Sequence, residues 1–167
     1  LLVASEWLNN SVYNVLAVHF SGPDKVGHTW GADSSEYDKK LTHVDQQVSQ
    51  LLDMIPKEWS VVITADHGMT EMGTHGSSED ITRDVAAIIS GPQIVPKSES
   101  AGHQRDLSAI VPLILELPFP VQLHGRIPLD IFDYSSQEKS VIEQWNWDAA
   151  YQRQIFFDAK KGENNPE

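Results

Sequence analysis

Residues 59–78 read WSVVITADHGMTEMGTHGSS, and this stretch decides the fold class. Its first seven residues form a short apolar run without polar alternation, the pattern of a strand buried on both faces. Glycines at 68, 73 and 76 then mark residues 66–78 as a loop. The same cycle recurs on either side. Upstream, residues 14–20 (NVLAVHF) are a second such run, stopped by Ser21, Gly22 and Pro23. Downstream, residues 85–90 (VAAIIS) are a third, closed by Gly91 and Pro92. Between the first two runs, Tyr37, Leu41, Val44, Val48, Leu51, Leu52 and Ile55 recur at helical spacing before Pro56, which predicts a helix over 35–55. Residues 107–117 are apolar with a helical period, and Pro112 predicts a kink within them. Strands alternating with helices predict an α/β domain with a largely parallel sheet flanked by helices.

The flanks carry less information. Residues 1–7 read as the end of an amphipathic helix, closed by Asn9 and Asn10. Residues 137–159 read as a surface helix anchored by Trp145 and Trp147, and residues 160–167 as a polar, disordered tail. The chain starts with Leu rather than Met and shows no basic-then-apolar leader, so it reads as an internal or processed piece.

Composition excludes several classes of function. The 167 residues hold 24 acidic and 12 basic side chains, a formal net charge of −12, which argues against a nucleic-acid partner. There is no Cys, so thiol catalysis, zinc fingers and disulfide frameworks are out. No apolar run approaches the roughly 20 residues that a membrane helix needs. Phosphate chemistry stays open, because bound metal ions can supply the missing positive charge.

Five of the seven His lie between positions 19 and 75, and three of those sit in polar, Gly-flanked loops after strands. The clusters are Asp24-x-x-x-His28, Asp66-His67 and His75-Gly76. Ligands of parallel α/β sheets bind beyond the carboxyl ends of the strands, where all three clusters can converge. Asp with neutral His suits a borderline divalent ion such as zinc. Three ligands make one open catalytic site, and the remaining two point to a second ion about 3.5–4 Å away, sharing a phosphoryl group. A lone Asp-His pair in a loop is ordinarily solvated polarity; three clusters after successive strands strengthen the metal reading, and spacing alone leaves both open.

The elements His19-Phe20-Ser-Gly-Pro-Asp24-Lys-Val-Gly27-His28, Asp66-His67-Gly68-Met69-Thr70 and Gly73-Thr-His75-Gly76-Ser77-Ser78 resemble the alkaline phosphatase superfamily. They are most similar to its GPI ethanolamine phosphate transferase branch. The stretch from Gln104-Arg-Asp106-Leu to Leu117-Pro-Phe-Pro120 and Gly125 is similar to that branch's next landmark, so the resemblance spans residues 14–132. It implies that Asp24, His28 and His75 hold one zinc, and Asp66 and His67 another. It also implies a further Asp ligand and a Thr or Ser nucleophile upstream of the DxxxH element, where this chain shows no matching pattern. Residues 1–136 then read as the C-terminal half of a metal-dependent phosphoryl-transfer domain, incomplete at its N-terminus. The chain departs from the family where Asp84-Val85 replaces a usual Thr-Pro, where Glu116 replaces a helix-ending Gly, and where Pro112 is displaced.

By resemblance, the intact enzyme moves phosphoethanolamine from phosphatidylethanolamine to a mannose of a GPI precursor, through a covalent intermediate on the nucleophile. It is membrane-anchored and works in the endoplasmic reticulum lumen. One rival is a phosphodiesterase or nucleotide pyrophosphatase of the same superfamily, with water as acceptor. The short gap between His67 and His75 favours the transferase. The other rival is a fragment whose metal ligands serve structure only. His19 reads as a neighbour of the ligands rather than one of them, and His43, His103 and His124 as surface or packing residues. Trp30 lines a pocket or packs, and Asn9-Asn10-Ser11 is a glycosylation acceptor triplet that chance also produces.

Overall fold

A computed structural model describes residues 2–10, 13–119 and 123–163. They divide into two compact units, residues 1–89 and 90–167. The first holds α1 (Leu2–Asn10), α2 (Gly22–Trp30), α3 (Ser35–Leu52), β1 (Val61–Thr64), α4 (Asp80–Arg83) and β2 (Ala87–Ser90). The second holds α5 (Leu107–Ile114) and α6 (Ser136–Glu163), with short 3-10 turns at Gln104–Asp106 and Leu129–Ile131.

Local chemistry explains the helices. Pro23 stands in the first turn of α2, where its missing N–H costs nothing. Gly31, at φ 84°, ends that helix and donates its N–H to the Gly27 carbonyl at 2.7 Å. Ser34 caps α3, its hydroxyl accepting the Tyr37 N–H at 3.2 Å, with Glu36 and Asp38 in the first turn. Helices α2 and α3 pack on each other.

The expected strands at 59–65 and 85–90 are present as β1 and β2, but the largely parallel sheet is not. Among the described residues there is one two-stranded sheet, β1 beside β2, and it is antiparallel. The Thr64 hydroxyl, at the end of β1, donates to the Ala86 carbonyl just before β2 at 3.3 Å. A parallel pair needs a crossover that lies across the sheet, usually a long helix. Here the connection contains only the four-residue α4, and its other residues are spent on the histidine loop.

Residues 15–20 are a second correction. They form no regular element and no ladder with any described residue, and Val15 and Val18 are 58% and 41% exposed. An apolar run becomes a strand only where a neighbour takes its backbone hydrogen bonds. Residues 160–163, expected as tail, continue α6, and residues 164–167 lie outside the described residues.

The second unit carries most of the fully buried apolar side chains: Phe132, Ile127, Ala109 and Ile110. Helix α6 holds the segment before it through polar pairs. The Asn146 carboxamide accepts the Ile127 N–H at 2.9 Å and donates to the Ile127 carbonyl at 3.0 Å. Arg153 donates to the Leu123 carbonyl at 2.9 Å. Of the two expected anchors, Trp145 lies against Phe119, with ring centroids 4.0 Å apart and planes tilted by 33°, whereas Trp147 is 69% exposed. Ile142, Asn146 and Arg153 do the rest of the anchoring.

Candidate metal centre

Asp24 and His28 stand not on a loop, as the sequence reading has it, but one turn apart on α2. That i, i+4 spacing puts both side chains on one helix face. His75 reaches the same point from the loop between β1 and α4. Three donor atoms converge there. His28 Nε2 and His75 Nε2 are 3.1 Å apart, and each faces Asp24 Oδ1, at 3.3 Å and 3.5 Å. Asp24 Oδ1 is buried from water, and although two imidazole nitrogens lie close, it is hydrogen-bonded to neither.

This triangle is the shape a tetrahedral ion requires. Donors about 2.0–2.1 Å from a tetrahedral centre lie about 3.3–3.4 Å from one another. The observed edges bracket that value. A buried carboxylate oxygen without a hydrogen bond is costly by itself, and a cation on the shared axis removes the cost. The three residues therefore form a group that can hold a metal ion. Their side chains remain 32–46% exposed, so a fourth position faces solvent.

Asp66 and His67 form a neighbouring pair, with Oδ2 and Nε2 3.6 Å apart. The His67 ring stacks on that of His75, with centroids 3.8 Å apart at 21°. His67 Nδ1 donates to the Gly68 carbonyl at 2.9 Å, which leaves the neutral ring's lone pair on Nε2, the atom facing Asp66. All five residues expected as metal ligands thus lie in one neighbourhood, three as a closed group and two as a pair beside it.

Glycines allow this close assembly. Gly27, between Asp24 and His28, is buried, and a Cβ there would overlap Met69 Sδ of the histidine loop. Gly73, at φ 76°, returns the contact, since a Cβ on it would overlap the Gly27 carbonyl oxygen. Sequence reasoning quoted Gly27 only as part of a motif and gave it no packing role, because the segment was read as a loop rather than a helix packed against Met69. It also missed Thr82, the buried polar residue of the described core, at 3% exposure.

The residues set aside stay outside the group. His19 is exposed on a segment without regular secondary structure, not at a strand end, and His43 is exposed on α3. The His103 N–H bonds the Asp106 carboxylate at 2.8 Å, and His124 is exposed. Trp30 is 62% exposed at the end of α2. No helix among the described residues is long and apolar enough to cross a membrane.

The profile of the type I phosphodiesterase / nucleotide pyrophosphatase family matches residues 2–104, and the chain belongs to that family. Among individual proteins, it is similar to GPI ethanolamine phosphate transferase 1 of Schizosaccharomyces pombe, 31% identical over 180 residues, covering 86% of this chain and 19% of that protein. It is also similar to the catalytic subunit of GPI ethanolamine phosphate transferase 3 of Mus musculus, 29% identical over 146 residues, covering 82% of this chain and 13% of that protein. The Homo sapiens counterpart is 29% identical over 130 residues, covering 75% and 12%. The chain thus spans at most 19% of the length of these three relatives. No solved structure matches it.

Proposed function

We propose that this chain supplies five metal ligands to a phosphoethanolamine transferase of GPI-anchor synthesis. Asp24, His28 and His75 hold one divalent ion, and Asp66 and His67 contribute to a second. Both ions are zinc, which the two-imidazole, one-carboxylate set suits. The observation that carries the reading is the closed triangle at 3.1, 3.3 and 3.5 Å around an Asp24 oxygen without a hydrogen bond.

When bound, such ions stabilise charge on phosphoryl oxygens and on the attacking and leaving oxygens of an in-line displacement. The chain's own residues do the positioning. Helix α2 fixes Asp24 and His28 relative to each other, and the Gly27–Gly73 contact brings the loop of His75 against them. The His67 bond to the Gly68 carbonyl sets the tautomer that presents Nε2. The nucleophilic hydroxyl that the resemblance implies is not among these residues. The donor is phosphatidylethanolamine, the acceptor a mannose of the lipid-linked glycan, and the compartment the endoplasmic reticulum. The names of the relatives support the reading.

A second reading, hydrolysis of a phosphodiester or nucleotide pyrophosphate with the same ligands, is favoured by the description of the matching family itself. A protein containing this chain, supplied with phosphatidylethanolamine and a mannose-bearing glycolipid, decides between them. Phosphoethanolamine on the glycan supports transfer, and release to water alone supports hydrolysis. The metal centre is tested on the chain alone. After dialysis against zinc, elemental analysis is expected to find one tightly held equivalent and a weaker second, with the first lost in His75→Ala. Equal zinc in both proteins would overturn the assignment.

A further inference from the structure

We infer that Thr82 is a positioning residue for the metal centre, holding His75 in register through its buried hydroxyl. Thr82 is 3% exposed, on the short helix α4, and it ties down both histidine-bearing ends of the preceding loop. Its backbone carbonyl accepts the Gly68 N–H at 2.9 Å, next to His67. Its hydroxyl donates toward the Glu79 carbonyl at 2.9 Å and the Ser77 carbonyl at 3.2 Å, and pairs with the Ser77 hydroxyl at 3.1 Å.

The bond to Ser77 matters because of what lies between it and the ligand. His75 is followed by Gly76, which has φ 83° and no neighbouring atom where a side chain would stand, so no side-chain packing restrains that joint. On the other side, the loop is closed by Thr70 and Thr74, through N–H to carbonyl at 2.9 Å and hydroxyl to hydroxyl at 2.8 Å. His75 therefore hangs between a closed turn and a free glycine joint, and the Thr82–Ser77 bonds are the anchor beyond that joint. Without the hydroxyl, the imidazole samples positions off the Asp24–His28 edge. Partners of this kind, beyond the ligands themselves, are worth about 10–100-fold in metal affinity.

This inference rests on the metal-centre reading, and the test separates the two. Cobalt(II) is titrated into the full chain and into His75→Ala, Thr82→Val, Thr82→Ser and Ser77→Ala, following the visible d–d bands, with thermal melts alongside. Thr82→Val keeps the shape and the Gly68 bond but removes the hydroxyl. It is expected to weaken cobalt binding about tenfold and alter the band shape, while Thr82→Ser stays within about twofold of the parent. Ser77→Ala is expected to lie between them, and it serves as the variant if Thr82→Val does not fold. No cobalt bands in the parent, or unchanged bands in His75→Ala, would overturn the metal centre itself. If the parent and His75→Ala behave as expected but Thr82→Val, or Ser77→Ala in its place, binds like the parent, the role of Thr82 is overturned and the centre stands. Weakening by Thr82→Ser equal to that by Thr82→Val would also overturn it.

Discussion

Replacing Gly27 by Ala tests how the two halves of the metal centre are brought together. A methyl group there would overlap Met69 Sδ, come within 3.0 Å of Met69 Cε and lie 3.2 Å from Tyr37 Cε2. Forcing a methyl into a filled contact costs about 1–3 kcal/mol. Against this, exchanging a helical Gly for Ala returns about 1 kcal/mol of helix propensity. The expected net effect is a loss of about 0–2 kcal/mol, accompanied by weaker zinc binding as α2 moves off the His75 loop. Chemical denaturation and zinc titration of Gly27→Ala, Met69→Ala and the double variant provide the assay. Once Met69 is trimmed, the main clash is gone, so Gly27→Ala in that background is expected to be neutral or slightly stabilising. The cycle then shows a coupling of at least about 1 kcal/mol, well above that of independent sites. Equal effects of Gly27→Ala in both backgrounds, or unchanged zinc affinity in the single variant, would refute this view of the contact.

Two further expectations concern the second unit. Helix α5 ends in a Schellman arrangement, with the Glu116 N–H on the Leu113 carbonyl at 3.1 Å and the Leu117 N–H on the Pro112 carbonyl at 2.9 Å, and this puts Glu116 at φ 53°. Glycine takes that conformation without a Cβ penalty, so Glu116→Gly is expected to stabilise the chain by about 1 kcal/mol, seen as a raised denaturation midpoint; an unchanged or lowered midpoint would count against it. Burial first, then the charges of Glu138 and Glu116, push the Tyr134 phenol above its ordinary 10.0. Above that pH the unfolded chain loses this proton while the folded chain keeps it. Stability is therefore expected to fall as pH rises past 10.0, and more steeply than in Tyr134→Phe, which alkaline denaturation curves compare.

How far the sequence could be read depended on how local the cause was. Helix α3 followed from its apolar spacing before Pro56, and β1 and β2 from their short apolar runs. The five candidate ligands were named from their spacing and from the resemblance, and the structure brings them into one neighbourhood. What failed was non-local. Residues 14–20 have the composition of a buried strand, but a strand exists only through its neighbour. The parallel sheet failed for a related reason, because the connection between β1 and β2 is the histidine loop with the four-residue α4 rather than a long helix. Ser21-Gly22-Pro23 was read as a turn, yet Pro23 followed by Asp24 equally marks a helix start, and the one-turn spacing of Asp24 and His28 agrees with it. Thr82 gives no signal in sequence, since one hydroxyl among many becomes special only when folding buries it.

The central claim is that Asp24, His28 and His75 together grip one metal ion, and X-ray absorption at the zinc edge tests it most directly. With one equivalent of zinc on the full chain, the expected first shell lies at about 2.0–2.1 Å, with the scattering signature of two imidazole rings and a carboxylate oxygen. His75→Ala is expected to remove one imidazole from that shell. An all-oxygen shell, or one that His75→Ala leaves unchanged, would contradict the claim.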